Sequence, residues 1–81
     1  MSDGDDSLVN PEVKAIWSEV LEVEPLDAAS DFFELGGHSL LAVRLLARIE
    51  EEVGWAVPLS LLFAHPTLGD FCAEASAAAA S

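Results

Sequence analysis

Nine of the fourteen residues from Leu40 to Val53 are apolar: Leu40, Leu41, Ala42, Val43, Leu45, Leu46, Ala47, Ile49 and Val53. The pattern predicts a helix over Ser39–Val53 with an apolar surface too wide for a single narrow stripe. Such a helix is either central to a bundle or turns part of its apolar surface toward a partner. Leu41, Leu45, Leu46, Ile49 and Val53 make the inward set. Leu40, Arg44 and Arg48 form an i, i+4, i+8 line along another face. That line holds two of the chain's three cations. Two readings of it stand side by side: Arg48 pairs with Glu51 or Glu52 on a solvated face, or the line is a docking surface.

The residues in front of this helix, Leu35-Gly36-Gly37-His38-Ser39, end a loop and begin the helix within a few residues. A serine just before an apolar periodic run reads as an N-cap. It stands at the positive end of the helix dipole, among unpaired backbone N–H groups. A phosphate on its oxygen would lie in a favourable field. Gly36 and Gly37 permit a sharp turn and a close approach to the backbone. The stretch therefore describes an exposed hydroxyl held at a helix start with space cleared around it.

The rest of the chain builds helices around this point. Asn10-Pro11-Glu12 reads as N-cap, proline at the first helical position and acid in the first turn. Val13, Ile16, Trp17, Val20 and Leu21 recur at helical spacing, with Trp17 in the core and Lys14, Ser18 and Glu22 solvated. This helix ends near Glu22, and Pro25 forbids its continuation. A long connection from Val23 to Gly37 follows, anchored by Leu26, Phe32 and Leu35 with Phe33 beside them. Connections this long are functional or pinned by their own side chains. Within it Ser30 is placed to cap a short turn over Asp31–Glu34, stopped by Gly36. Gly54 fits the position just past the second helix, with Trp55 packing back toward Ile49. Val57-Pro58-Leu59 opens a short third helix to about Ala64, with Leu59, Leu62 and Phe63 as its apolar face, and His65-Pro66 breaks it. Thr67 with Asp70 resembles a capping box, and Leu68, Phe71, Cys72 and Ala75 give a fourth helix. The expected fold is all-α, a small four-helix bundle with a long first loop and a short third helix. Residues 1–9 form an acidic disordered N-terminus, residues 10–76 the domain, and residues 77–81 an Ala-rich tail that frays.

Several functions are excluded by what the chain carries. Its 81 residues make one small domain, without room for a large enclosed active site. A net charge of −12 argues against nucleic acid and against an anionic membrane surface. It suits a soluble monomer that meets basic patches on partners, or simply one kept soluble by its charge. No apolar run approaches membrane-spanning length, and the acidic start is unlike a signal peptide, so a cytoplasmic location follows. Cys72 is alone and reads as a small buried hydrophobe. His38, His65 and Cys72 lack the paired spacing of metal ligands, so no metal is expected. Ser39 does not fit a nucleophile elbow, because Leu41 stands where a glycine is needed and no strand precedes it. No catalytic residues are assigned. On the residues alone, an acidic helical interaction adaptor without chemistry stands level with a chain that exposes Ser39 for use.

The stretch Asp31-Phe32-Phe33-Glu34-Leu35-Gly36-Gly37-His38-Ser39-Leu40-Leu41-Ala42 resembles the attachment motif of peptidyl carrier proteins, the thiolation domains of non-ribosomal peptide synthetases. Val57-Pro58-Leu59, Leu62-Phe63 and Pro66-Thr67-Leu68 match the same family in the same order, and the likeness runs from about Val13 to Ala75. It implies a 4′-phosphopantetheine arm from coenzyme A on Ser39, whose thiol carries aminoacyl or peptidyl groups as thioesters. Gly36, Gly37 and His38 would be the loop beside the arm. It also tips the line on the second helix toward docking, with Phe33, Leu40, Arg44 and Arg48 as the contact residues. The implied partners are a phosphopantetheinyl transferase, an adenylation enzyme, and condensation, tailoring or thioesterase partners. Acyl carriers of fatty-acid or polyketide synthesis usually place Asp before the serine, so His38 favours peptidyl over acyl cargo. The resemblance implies a carrier and not an enzyme. Met1 and the simple ends suggest a free-standing protein, although a domain of a larger synthetase would look the same.

Overall fold

The side-chain oxygen of Asn10 accepts the N–H groups of Glu12 and Val13 at 2.8 and 3.1 Å, closing two of the open donors of helix α1 (Pro11–Leu21). In the computed structural model, which describes residues 9–80, three more helices follow: α2 (Ser39–Glu52), α3 (Leu59–Ala64) and α4 (Leu68–Ala80). The fold is the expected all-α bundle; the one β-type contact among the described residues is an isolated bridge between Asp31 and Thr67. Of the expected disordered N-terminus, residues 1–8 lie outside the described residues, while Val9 packs half-buried against the core.

The core draws on every helix: Val13, Ile16, Trp17 and Leu21 from α1, Ala42, Leu45 and Ile49 from α2, Leu62 from α3, and Leu68, Phe71, Cys72 and Ala75 from α4. Leu26 and Phe32 join it from the long loop. Trp17 lies at its centre, edge-on to Phe32 at 5.4 Å and tilted against Phe71 at 5.7 Å. Its indole N–H has no partner among the described residues. That costs about 1–3 kcal/mol. Two ring contacts, about 0.5–1.5 kcal/mol each beyond the burial of the rings themselves, offset it.

The inward face of α2 differs from the expected set. Ala42, Leu45 and Ile49 are fully buried, whereas Leu41, Leu46 and Val53 are half-buried flanks. The i, i+3, i+7 row points at the core, and the short side chain of Ala42 hides completely where a leucine at the edge cannot. On α3 only Leu62 is buried; Leu59 is half-buried and Phe63 turns outward. Ser18, expected to be solvated, is half-buried, and its hydroxyl donates to the Val23 carbonyl at 2.8 Å and fastens the chain leaving α1. Glu22 ends α1 in the left-handed region, at φ 58°. Gly54 does the same after α2, at φ 88°, with its N–H on the Ile49 carbonyl at 3.1 Å. Trp55 then packs half-buried on the core. The alanines expected to fray continue α4 to Ala80, in keeping with their high helix propensity, and Ser81 lies outside the described residues.

The loop between α1 and α2 is stitched to the start of α4. Phe32 N–H donates to Pro66 O, Leu68 N–H to Ser30 O and Gly69 N–H to Ala28 O, each at 2.9 Å. A Cβ on Gly69 would stand 2.9 Å from that of Ala28, so only glycine lets the two backbones meet this closely. Full burial of Phe32 contributes about 1.5–3 kcal/mol. That offsets the roughly 1–2 kcal/mol of backbone entropy lost in fixing this one residue; the rest of the loop is held by buried Leu26 and by the backbone bonds to the start of α4.

Candidate functional site

The site is assembled by a turn that Asp31, not Ser30, caps. The Asp31 carboxylate accepts Phe33 N–H at 2.9 Å and Glu34 N–H at 3.0 Å. The Ser30 hydroxyl turns back instead, accepting Asp27 N–H at 2.9 Å and donating to the Asp27 carboxylate at 3.2 Å. A carboxylate reaches two successive N–H groups of a turn better than a hydroxyl does. The aspartate two and three residues ahead of those groups was the sequence signal for this role.

Gly36 then adopts φ 104°, open to solvent with nothing near its missing Cβ. Gly37 does the reverse and lies directly on Phe32. Its N–H donates to the Phe32 carbonyl at 2.9 Å, and a Cβ there would fall 2.3 Å from the ring. The two glycines divide the work, one for conformation and one for contact. Phe33 leaves the same turn, edge-on to Phe32 at 5.2 Å and stacked on Phe63 of α3 at 5.3 Å.

Ser39 is not the N-cap. His38 takes that position in extended backbone, at φ −144° and ψ 179°, and its carbonyl accepts Ala42 N–H at 2.8 Å. One extended residue is needed to carry the chain from the Phe32-bound glycine into the helix, so Ser39 becomes the first helical residue. The His38 side chain makes no capping bond, and no acid occupies the first turn. The Ser39 hydroxyl is exposed and has no hydrogen-bond partner among the described residues. Two consequences follow. The hydroxyl is open to an outside reagent, and the first N–H groups of α2 are left for an anion on it.

Gly36, Gly37, His38 and Ser39 thus stand together, with Leu40 exposed beside them and Arg44 exposed along α2. Arg48 is drawn elsewhere. Its guanidinium pairs with Glu19 of α1 and Glu52 of α2, each at 2.7 Å, and these hydrogen bonds, Glu52 foremost, push its pKa further up. The solvated pairing weighed from the sequence is present, and α1 adds a second partner that spacing along α2 could not reveal. Cys72 is buried, and its Sγ accepts Asn10 N–H at 3.5 Å. No group of three or more potential metal ligands occurs among the described residues, and none of their helices is long and apolar enough to cross a membrane.

A 4′-phosphopantetheine phosphodiester fits this geometry. Ser39 offers an unengaged oxygen, the helix start offers uncapped N–H groups without a competing carboxylate, and Gly36 leaves open space.

Comparison with known proteins agrees with that fit. Residues 11–75 match the family described as phosphopantetheine attachment site. Surfactin synthase subunit 1 of Bacillus subtilis (strain 168) is 48% identical over 63 residues, covering 78% of this chain and 2% of that protein. The chain therefore spans only a small part of such a synthetase. Among solved structures, a peptidyl carrier protein in complex with the phosphopantetheine transferase Sfp and coenzyme A superimposes with a TM-score of 0.76 at 28% identity, covering 95% of each chain. An active-site mutant peptidyl carrier protein gives 0.75 at 32% identity, over 82% of this chain and 73% of that one. Sequence, bundle and helix-start geometry agree, and the chain belongs to the phosphopantetheine attachment-site family, as a carrier domain of the non-ribosomal peptide synthetase type.

Proposed function

We propose that this chain, through residues 10–76, carries aminoacyl or peptidyl groups on a 4′-phosphopantetheine arm attached to Ser39, as a carrier that partner enzymes act on and not as an enzyme. The observation that supports this most is the state of Ser39: exposed, first in α2, and unengaged where the helix start is uncapped. Ser39 supplies the oxygen that joins the β-phosphorus of coenzyme A. The Oγ–P bond forms, the P–O bond to the nucleotide breaks, and adenosine 3′,5′-bisphosphate leaves. The hydroxyl proton passes to a base of the phosphopantetheinyl transferase, since no group among the described residues is hydrogen-bonded to Oγ. Helix α2 then stabilises the phosphodiester through its first N–H groups, and the field of the helix end is worth about 0.3–1 kcal/mol at such an exposed position.

When attached, the arm supplies a terminal thiol that holds the acyl group as a thioester. Gly36, Gly37 and His38 form the floor from which the arm leaves. Phe33, Leu40 and Arg44 form the surface offered to the transferase, the adenylation enzyme and later condensation, tailoring or thioesterase partners. Arg48, committed to Glu19 and Glu52, leaves that set. The testing experiment is intact mass after incubation with coenzyme A and a broad-specificity phosphopantetheinyl transferase. A gain of one phosphopantetheine, absent in Ser39→Ala, is the expected result. No gain on folded, initially unmodified chain returns the acidic adaptor to first place.

A further inference from the structure

Alanine is the better helix former, yet the second residue of α4 is Gly69. Contact explains it. A Cβ at Gly69 would stand 2.9 Å from the Cβ of Ala28 and 3.2 Å from the Ala28 carbonyl oxygen. The first distance falls about 0.6 Å short of the ordinary separation of two carbon atoms. The missing Cβ lets the N–H groups of Leu68 and Gly69 reach the carbonyls of Ser30 and Ala28, each at 2.9 Å. Thr67 and Asp70, expected to form a capping box, make no side-chain hydrogen bond among the described residues. The loop is therefore the cap of α4, and the two part only by leaving helix-end donors unpaired.

Between Ala28 and Gly37 each turn is closed by its own hydrogen bonds. Ser30 N–H donates to the Asp27 carbonyl at 3.0 Å, and the Asp27 carboxylate accepts Ala29 N–H at 3.0 Å. Asp31 closes the next turn, with Phe33 and Glu34 N–H on its carboxylate and Leu35 N–H on its carbonyl at 3.1 Å. Phe32 is held twice, by its N–H on Pro66 O and by a fully buried ring. The Phe32 carbonyl then takes Gly37 N–H at 2.9 Å, a bond that bypasses the open Gly36. After Gly37 there is one extended residue, His38, and then Ser39. A shift imposed at Ala28 finds no unbonded turn to absorb it on the way.

We propose that Gly69 is a positioning residue for Ser39: its contact with Ala28 fixes the loop on α4, the loop fixes Phe32, and Phe32 fixes Gly37 and the start of α2. The inference rests on the carrier reading, in which Ser39 Oγ is the oxygen that is modified. Gly69 lies on another helix and acts on the hydroxyl only through this series of bonded turns. Transfer requires that Oγ meet the β-phosphorus of coenzyme A at close range and in line, and a misplacement of about 1 Å from a remote change can cost up to about 100-fold in rate. The start of α4 thus decides where the hydroxyl stands.

The test is steady-state modification by a broad-specificity transferase with coenzyme A, at a temperature where circular dichroism shows every variant folded. It compares the parent with Gly69→Ala, with the double variant Gly69→Ala/Ala28→Gly, and with Val13→Ala, a core change in α1. The expected result is a roughly tenfold fall in kcat for Gly69→Ala, with KM for the carrier within about threefold of the parent. Removing the obstructing methyl in the double variant returns kcat to within about threefold of the parent. Val13→Ala lowers the urea midpoint and keeps kcat, which separates placement of Ser39 from loss of stability. If Gly69→Ala does not fold, Ala28→Val presses on the same gap from the loop side and takes its place, with the same loss expected. A parent-like kcat, a loss confined to KM, a loss that survives in the double variant, or an equal loss in Val13→Ala would overturn the proposal. Amide spectra of the ¹⁵N-labelled, unmodified chain give a readout independent of modification. Shifts at residues 36–40 in Gly69→Ala that reverse in the double variant support it, and shifts confined to the neighbours of residues 28 and 69 refute it. Absence of any Ser39-dependent mass gain in the parent would sink the carrier reading instead, with the amide spectra still deciding whether the contact reaches Ser39.

Discussion

Gly37 rests on Phe32 so closely that a methyl group at its Cα would stand 2.3 Å from Cε2 of the ring and 2.6 Å from the Phe32 carbonyl oxygen. The contact ties the deepest anchor of the loop to the backbone that delivers Ser39. Because one of the obstructing atoms is backbone, Gly37→Ala cannot be relieved by a side-chain rotation alone. The substitution should cost about 1–3 kcal/mol of stability, in the range of overpacked sites. It should also displace the start of α2 and slow modification of Ser39. Gly36→Ala meets no neighbour and suffers only its left-handed backbone, φ 104°; it should lose stability without the same loss of modification rate. Urea denaturation beside transferase kinetics separates the two glycines, and equal effects on rate would detach Gly37 from the placing of Ser39.

Glu22 holds a left-handed conformation that costs a residue with a Cβ about 1–2 kcal/mol. Its N–H bonds the Ser18 carbonyl, a role glycine fills equally well. Glu22→Gly should stabilise the chain by about 0.5–1 kcal/mol after the greater freedom of glycine in the unfolded state is counted. A lowered urea midpoint would mean that the glutamate side chain contributes more than its backbone costs.

Burial pushes the Cys72 thiol upward in pKa, only partly countered by the Asn10 N–H on its sulfur. The fold thus binds the thiol proton more tightly than the unfolded chain does. This contribution is fully present below the unfolded thiol's ordinary value of about 8.5 and is lost as pH rises from there through the folded value. Stability should decline across that alkaline window in the parent and less so in Cys72→Ala. Iodoacetamide should label the native thiol slowly at neutral pH and rapidly in urea; fast native labelling would contradict the burial.

Arg48 links α1 to α2 through Glu19 and closes on Glu52 of its own helix. Both carboxylates are solvent-facing, so the stabilisation is modest and falls with salt. Arg48→Gln should lower the melting temperature slightly in dilute buffer, with the difference shrinking in concentrated salt. Its modification kinetics should match the parent. A raised KM for the carrier would restore Arg48 to the docking surface.

The helices were legible in the sequence wherever their determinants are local. Asn10-Pro11, Gly54 and the spacing of Val13, Ile16, Trp17 and Leu21 each act within a turn or two of chain, and the structure holds them in those roles. Phe63 was misread because hydropathy counts a ring and not its direction, and its outward stacking depends on Phe33, thirty residues away. Asp31 took the cap expected of Ser30 for a related reason: the Ser30 backbone is already bonded to Leu68 at the start of α4. At Ser39 the difference was one residue. Gly37 must keep its bond to Phe32, so His38 becomes the extended residue and the serine enters the helix with its hydroxyl unspent.

By itself the sequence determined a four-helix bundle, a loop anchored by aromatic residues, and a serine after two glycines at the head of an apolar helix, since periodicity and backbone restriction are properties of short segments. The tertiary structure decided where the loop aromatics go, by packing α3 on α2 and joining Phe63 to Phe33. It decided too which arginine is committed to an ion pair between helices, because Glu19 arrives from another helix. Partnership at that range is set by packing across the bundle, which no spacing along a single helix encodes.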